Sequence, residues 1–344
     1  MTRLRRIDAR MPGISRRRRG RGFSYQDARG RTITDDETLR RIRSLSVPPA
    51  WTDVWICPLP DGHLQALGTD AAGRRQYMYH EAWRTRRNVE KFRRIERFAE
   101  ALPDLRAAAD EALGLRGTPR RKALALAVRL LDEGSFRLGS EAYARDNGSF
   151  GLATIRREHV RIEGSRITFD FTAKSGKRRI QTITEARLAR VVRTLKERRD
   201  GHPDLLAYRE DGRWHDIRSA DINAYLHEEA GDDFTAKDFR TWQATVLAAA
   251  LFAGKEGALQ SGTSRRRTVS AVVKEVAEHL GNTPAVCRAS YIDPRVIDRS
   301  REGTTIAFAI RGIELDAPFD RATRERIERA VLDLVRGDVR DAAA

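Results

Sequence analysis

The chain has 344 residues, 40% of them hydrophobic, and carries a formal charge of +17 from 66 Lys and Arg against 49 Asp and Glu. That length suits two domains, and the excess charge points to a polyanion, nucleic acid rather than an anionic membrane, since no apolar run approaches the ~18 residues of a membrane span. Two cysteines, Cys57 and Cys287, exclude a disulfide framework or a cysteine-rich zinc site and fit a reducing cytoplasm, and the scattered histidines lack metal-ligand spacing.

Residues 1–22, ending in "RRRRGRG", read as a basic flexible tail able to touch DNA phosphates non-specifically. Order is expected to begin at "GFSYQDARGRTI", a hairpin about its Asp-Ala-Arg-Gly turn. Thr34 and Glu37 have the spacing of a capping box ahead of a short amphipathic helix, which "VPPAW" stops. Two strands then flank Pro60-Asp61-Gly62, and "RRQYMYH" (74–80) forms another. These pieces make a β-rich module over 23–84.

From Glu81 the pattern is a long charged helical region interrupted at Pro103. Thr118-Pro119 starts a further helix ending before Gly134. Over 150–183 the period changes to two, and "GLATIR", "HVRI", "RITFDFTA" and "RRIQTIT" read as strands. Helices return from about 184 to the end, one of them capped by Thr235. The fold class is therefore α+β: a small β-rich domain, then a larger, mainly α domain over 85–344 with one small antiparallel sheet inserted. No phosphate-binding glycine loop is present, so no nucleotide cofactor is expected.

Several residues stand out in this second domain. Arg137 follows a helix end. Lys174 lies at a hairpin tip whose turn is Ser175-Gly176. Lys237 and Arg240, three apart, share one side of a helical turn. Asn282 follows Gly281, and Tyr291 ends a short helical stretch before Asp293-Pro294. Each has an ordinary explanation: solvated charges for the cations, a helix C-terminal position for Asn282, a packed ring for Tyr291. Their order along the chain is what favours chemistry.

That order, with "FRLGSEAY", "GLATIR", "FTAKSGK", "KDFRTW" and "SYIDPRV" behind "YQDARGRTITDDETLRRIRSLSVPPAWTDVWICPLPDGHLQALGTDAAGRRQYMYH", resembles the type IB DNA topoisomerases, most closely the small poxvirus-like form of viruses and bacteria. A weaker resemblance extends to the tyrosine recombinases. The topoisomerase resemblance implies that Tyr291 is a nucleophile, that Arg137 and Arg240 bind the scissile phosphate and that Lys174 is the general acid. Asn282 falls where viral enzymes and recombinases usually have histidine, a departure that bacterial forms share. The resemblance also implies DNA contacts by Gln76, Tyr77 and Tyr79, beside Arg74 and Arg75, and by Tyr143 and Thr154. Lys237 would join them. A monomer acting on DNA at the nucleoid, without metal or ATP, is what the family leads one to expect.

These residue types suit phosphodiester chemistry. Two guanidiniums stay ionised and offer planar pairs of donors to the charge that builds on phosphoryl oxygens. A free tyrosine, with its pKa of about 10, is mostly protonated at pH 7. The 5′-oxygen leaves poorly unless protonated, a role open to lysine. Asparagine can donate a hydrogen bond to a phosphoryl oxygen but not a proton. Two other readings compete: a site-specific tyrosine recombinase, and a non-enzymatic DNA-binding or nucleoid protein.

Overall fold

The computed structural model describes residues 3–231, 233–259, 262–313 and 320–338. The expected flexible start at residues 1–2, and the helix expected over 314–319 and 339–344, lie outside the described residues. Two compact units divide at Phe92 and Arg93, a few residues beyond the expected boundary.

The first unit is a five-stranded antiparallel sheet in the order β2-β1-β3-β4-β5, built from β1 (Ile14–Arg19), β2 (Gly22–Gln26), β3 (Thr52–Ile56), β4 (Leu64–Thr69) and β5 (Arg75–Tyr79). Helix α1 (Asp36–Ser44) brings Ile42 to a core of Ile14, Val54, Ile56 and Ala66. Its cap is Asp35, whose carboxylate accepts from the Thr38 N–H at 2.7 Å, one residue later than the expected Thr34 box. Glu37 is thus in the first turn, not at the reciprocal position.

The basic tail expected over 1–22 is not a tail in its described part. Arg5 pairs with Gly62, and the Ile7 N–H donates to His63 Nδ1 at 3.0 Å. Ile14 is buried, and Arg16 to Arg19 lie in β1, paired in turn with Tyr25 to Gly22 across the Gly20-Arg21 turn. Arg16 lies 4.2 Å over the Phe23 ring and donates to the Val47, Pro48 and Trp51 carbonyls. Four identical arginines hide the alternation of a strand, because an arginine stem packs as readily as its head is solvated. The "GFSYQ" strand pairs backwards with β1; forward, across Asp27–Gly30, only a bridge from Gln26 to Thr32 forms.

Helix α2 (Glu81–Leu113) runs unbroken through Pro103. The proline removes one backbone hydrogen bond, but Leu102 and Leu105 beside it are both 1% exposed, and their burial holds the helix together.

In the second unit, α3 (Arg120–Gly134) is buried along most of its length, from Ala123 to Asp132 without a break. Pro119, not Thr118, is at its N-cap, with no side-chain cap bond. The short α4 (Glu141–Asn147) follows. The inserted sheet, β6 (Val160–Glu163), β7 (Arg166–Ala173) and β8 (Lys177–Thr184), is antiparallel in chain order. "GLATIR" is no strand: Leu152–Thr154 form a 3-10 turn, pinned by Leu152 N–H to Arg137 O and Ala153 N–H to Leu138 O, each 2.8 Å.

After α5 (Ala186–Lys196) comes a hairpin of β9 (Ala207–Glu210) and β10 (Arg213–Asp216), which the all-helical expectation missed. Then follow α6 (Ser219–Ala230), α7 (Ala236–Gly254), α8 (Gly262–Leu280), α9 (Pro284–Ser290), α10 (Pro294–Arg301), α11 (Ala307–Ile310) and α12 (Arg321–Arg336). The α+β class stands. α12 is tied to α2 and α3 by ion pairs from Arg106 to Asp132 at 2.8 Å and to Glu328 at 2.7 Å, with Arg106 2% exposed. No helix among the described residues is long and apolar enough to cross a membrane.

Candidate active site

The C-terminus of α8 organises the site. Gly281, at φ +63°, ends the helix in the left-handed region; its N–H bonds Glu278 O at 3.1 Å, and the Asn282 N–H bonds Ala277 O at 2.9 Å. This double bond pattern is a Schellman motif, so Asn282 does have the helix-end role that its position suggests. Carbonyls left over at the helix end attract cations. Three guanidiniums answer. Arg179 donates to Glu278 O at 3.4 Å and to His279 O. Arg240 donates to Leu280 O at 2.9 Å, and Arg137 to Gly281 O at 2.7 Å. Arg137 also donates to Asn282 Oδ1 at 2.6 Å.

Each arginine is delivered by an ordered element. Arg137 follows α3, whose C-cap Ser135 has φ +51°. Gly139 and Gly151 pack backbone to backbone beneath it; a Cβ on Gly151 would sit 2.7 Å from Arg137 O. Arg240 is on the first turns of α7, fixed by the Thr235 N–H to Asp238 Oδ2 bond at 2.9 Å and by the Arg94–Asp238 ion pair at 2.8 Å. Arg240 further donates to Ser135 O, tying α3 to α7.

Tyr291 is the residue that ends α9, its N–H bonded to Cys287 O at 2.9 Å. Thr245, buried on α7, places it: the threonine hydroxyl donates to Tyr291 O at 3.3 Å and accepts from the Asp293 N–H at 3.2 Å. Asp293 then caps α10. The Tyr291 ring has the Arg240 guanidinium 5.4 Å and the Lys237 ammonium 5.9 Å from its centroid. Lys237 and Arg240 do share one side of the helical turn. A cavity of about 270 Å³ opens here, lined by Arg137, Leu138, Asn223, Lys237, Arg240 and Tyr291 among others.

The electrostatics are one-sided. Among the described residues no carboxylate forms an ion pair with Arg137, Arg179 or Arg240. Burial, with the charge of Arg137 behind it, pulls the Arg240 guanidinium down to about 10, against an opposing interaction with the Tyr291 side chain. Burial lowers Arg179 too, and Arg137 adds to the effect. Arg240 Nε and Asn282 Nδ2 are buried donors without partners. Cations held together with donors left over form a site for an anion that brings acceptor oxygens. Burial pushes the Cys287 thiol up to about 11, which leaves it a poor nucleophile.

Arg137, Arg240, Asn282, Tyr291 and Lys237 are thus brought together. Lys174 is not. It is exposed on the β7–β8 loop, where Ser175 and Gly176 both have positive φ, as the predicted turn requires. No hydrogen bond or ion pair joins it to the cluster among the described residues. Tyr143 is 39% exposed on α4, whereas Thr154 is buried. The Thr154 hydroxyl accepts from the Gly151 N–H at 3.1 Å and so stabilises the turn below Arg137.

In the first unit, Arg75, Tyr77 and Tyr79 alternate onto the exposed face of β5, and the two tyrosine rings stack at 6.3 Å. Gln76 belongs to the other face and donates to Asp70 Oδ2 at 2.9 Å. Arg74 pairs with the same carboxylate at 2.8 Å, and the Arg74 bonds hold Asp70 down at about 2.

Arg179 and His279 were not anticipated. His279 Nε2 lies 3.3 Å from Ser135 Oγ, and desolvation, then Arg179 and Arg240, lowers its pKa. For Arg179 a signal did exist: it alternates with Gln181 and Ile183 on β8, opposite Phe171 and Phe169, and so falls on the covered face. Its role at the α8 terminus depends on a pairing 99 to 100 residues away, which no local pattern encodes.

Comparison with known proteins gives a consistent picture. A family profile described as "Eukaryotic DNA topoisomerase I, catalytic core" matches residues 80–304, and one described as "Bacterial DNA topoisomerase IB, N-terminal domain" matches residues 22–70. The chain is 31% identical over 287 residues to DNA topoisomerase 1B of Acanthamoeba polyphaga mimivirus, covering 82% of this chain and 85% of the relative. It is 21% identical over 299 residues to DNA topoisomerase 1B of Vaccinia virus (strain Copenhagen), covering 82% and 90%. A plant relative, DNA topoisomerase 1 of Daucus carota, is 26% identical over 164 residues, 47% of this chain and 19% of that protein.

Proposed function

The chain belongs to the type IB DNA topoisomerase family, and from that premise we propose that it relaxes supercoiled duplex DNA by transient cleavage of one strand through Tyr291. The Tyr291 oxygen forms a bond to the scissile phosphorus as its proton passes to solvent. The bond to the 5′-oxygen breaks, and that oxygen leaves with a proton from Lys174. The product is a 3′-phosphotyrosyl diester and a free 5′-hydroxyl. Because one diester replaces another, the 5′-hydroxyl can reverse the step after the duplex has rotated. Neither ATP nor a metal enters this balance.

The observation that carries the reading is the Arg137–Arg240–Tyr291 group around the cavity, with its cations in mutual range and no carboxylate among the described residues paired with them. The guanidiniums bind the non-bridging oxygens, whose charge grows in the transition state, and preorganised donors of this kind contribute ~3–4 kcal/mol each. Asn282 supplies a further amide donor through Nδ2. Lys174 reaches the leaving oxygen from its exposed hairpin tip when DNA is bound. Arg75, Tyr77 and Tyr79 meet the duplex from the β5 face, and Tyr143 meets a phosphate from α4. The protein acts as a monomer at the nucleoid.

Detergent quenching of protein incubated with end-labelled duplex tests this. A covalent adduct on the 3′-phosphate side, mapping to a Tyr291 peptide and absent in Tyr291→Phe, is the expected result. An adduct that persists in Tyr291→Phe, or none with the wild type, overturns it.

A further inference from the structure

We propose that Arg179 is a positioning residue that fastens the hairpin bearing Lys174 to the helix end bearing Asn282. The inference rests on the reading above, in which Lys174 protonates the leaving oxygen. Arg179 is on β8 at the third pair from the loop: Ala173 pairs with Lys177, Thr172 with Arg178, and Phe171 with Arg179. Its side chain shares a face with Phe171, which is 6% exposed and stacks with Phe136 at 6.2 Å. From there the guanidinium crosses to α8 and donates to the Glu278 and His279 carbonyls. Gly281 is so close that a Cβ there would lie 3.0 Å from Arg179 Nη1.

The α8 carbonyls favour a cation at this place, whereas burial and the neighbouring Arg137 charge oppose one. Arg179 has no acidic partner among the described residues and has Arg137 beside it, with Arg240 in range of its charge. A neutral side chain would hold the strand against α8 without that repulsion. What only a two-pronged donor supplies is a grip on two successive carbonyls. The same α8 end receives Arg137 and Arg240, so one terminus sets the relative position of both phosphate-binding arginines, Asn282 and the Lys174 strand. Arg179 is the one member of the three that reaches it from the general-acid hairpin. Loss of the grip therefore disturbs delivery of the proton more than binding of the phosphate.

The test uses the full chain, with thermal unfolding recorded for each variant. A duplex containing a site mapped with the wild type is prepared with oxygen or with sulfur at the bridging 5′ position; sulfur leaves without needing a proton. Arg179→Met is expected to slow single-turnover cleavage of the oxygen duplex ~10–100-fold, since small misplacements have effects of that size. With the sulfur duplex it should cleave within a few-fold of wild type, and DNA binding should not change. Arg179→Lys, with one donor group in place of a fork, should be intermediate and show the same rescue. Wild-type rates for Arg179→Met on both duplexes, or equal slowing on both, overturn the inference. Tyr291→Phe run alongside separates the two ideas: if it cleaves like wild type, the underlying reading itself has failed.

Discussion

The guanidinium of Arg240 lies 5.4 Å from the centroid of the Tyr291 ring, held there by the Ser135 and Leu280 carbonyls. Two helices, α7 and α9, thereby present a cation and a phenol to one cavity, and Arg137 enters the same space from the end of α3. Alanine at 137 or at 240 should reduce single-turnover cleavage by ~10²–10³-fold, the usual loss for one preorganised donor. Binding of duplex should change only a few-fold. Comparable losses in binding and cleavage would make these arginines ordinary phosphate clamps.

Asn282 allows a sharper substitution. Its Oδ1 accepts from Arg137 at 2.6 Å while Nδ2 is buried without a partner. Asn282→Asp keeps the acceptor for Arg137 and turns the free donor into a repelling oxygen. Cleavage should fall by at least ~10²-fold with thermal stability retained, whereas Asn282→His should keep most of the activity. Equal activity of the Asp and Asn forms, read by gel from trapped adduct, would leave Asn282 with its helix-end role alone.

Acid stability should follow the buried charges of the second unit. The Asp132 carboxylate is held at about 2, against an ordinary 3.8; desolvation opposes ionisation, but Arg106 and its neighbours outweigh it. A carboxylate depressed in the folded state stabilises above its unfolded value and loses that contribution as pH falls from about 4 towards 2. Glu328 is raised from its ordinary 4.5 by burial, so its effect has the opposite sign and falls above that window, complete by about pH 4.5. Wild-type Tm should drop across that window. Asp132→Asn should be destabilised by up to ~3–5 kcal/mol near neutrality, because the buried Arg106 keeps its charge with Glu328 as its one remaining carboxylate partner among the described residues, and its Tm should be flatter between pH 4 and 2. A parallel decline in both proteins would assign the acid transition to other groups.

Much of this was legible in the sequence, and the failures have physical causes. Lys237 and Arg240 were readable as a pair because a helical turn is a local rule, and the Ser175-Gly176 turn was readable because few residues adopt positive φ. Arg16 was misread. A run of arginines is normally solvated charge, yet this one forms a strand because Ile14 anchors it and Arg16 satisfies three distant carbonyls. Pro103 was read as a break, but buried leucines on both sides outweigh one missing hydrogen bond. Thr154 was assigned from resemblance and is engaged in the turn that supports Arg137. The grip of Arg179 on α8 arises only once strand and helix are packed together.

The Arg16 correction is itself testable. Arg16→Ala should destabilise the first unit by ~1.5–3 kcal/mol, the range for hydrogen bonds to a charged donor, and lower its Tm. Arg18→Ala, which removes an exposed cation of the same strand, should leave Tm unchanged and reduce the salt dependence of DNA binding by ~1 in slope. The reverse pattern would restore the tail interpretation.

The most direct measurement is relaxation of negatively supercoiled plasmid in EDTA without ATP, wild type beside Tyr291→Phe. A ladder of progressively relaxed topoisomers from the wild type, absent with the phenylalanine variant, is predicted. Relaxation by both proteins would remove Tyr291 from the chemistry. Recombined plasmids without net relaxation, or tight binding with neither, would contradict the account and place the protein with the recombinases or the non-enzymatic DNA binders.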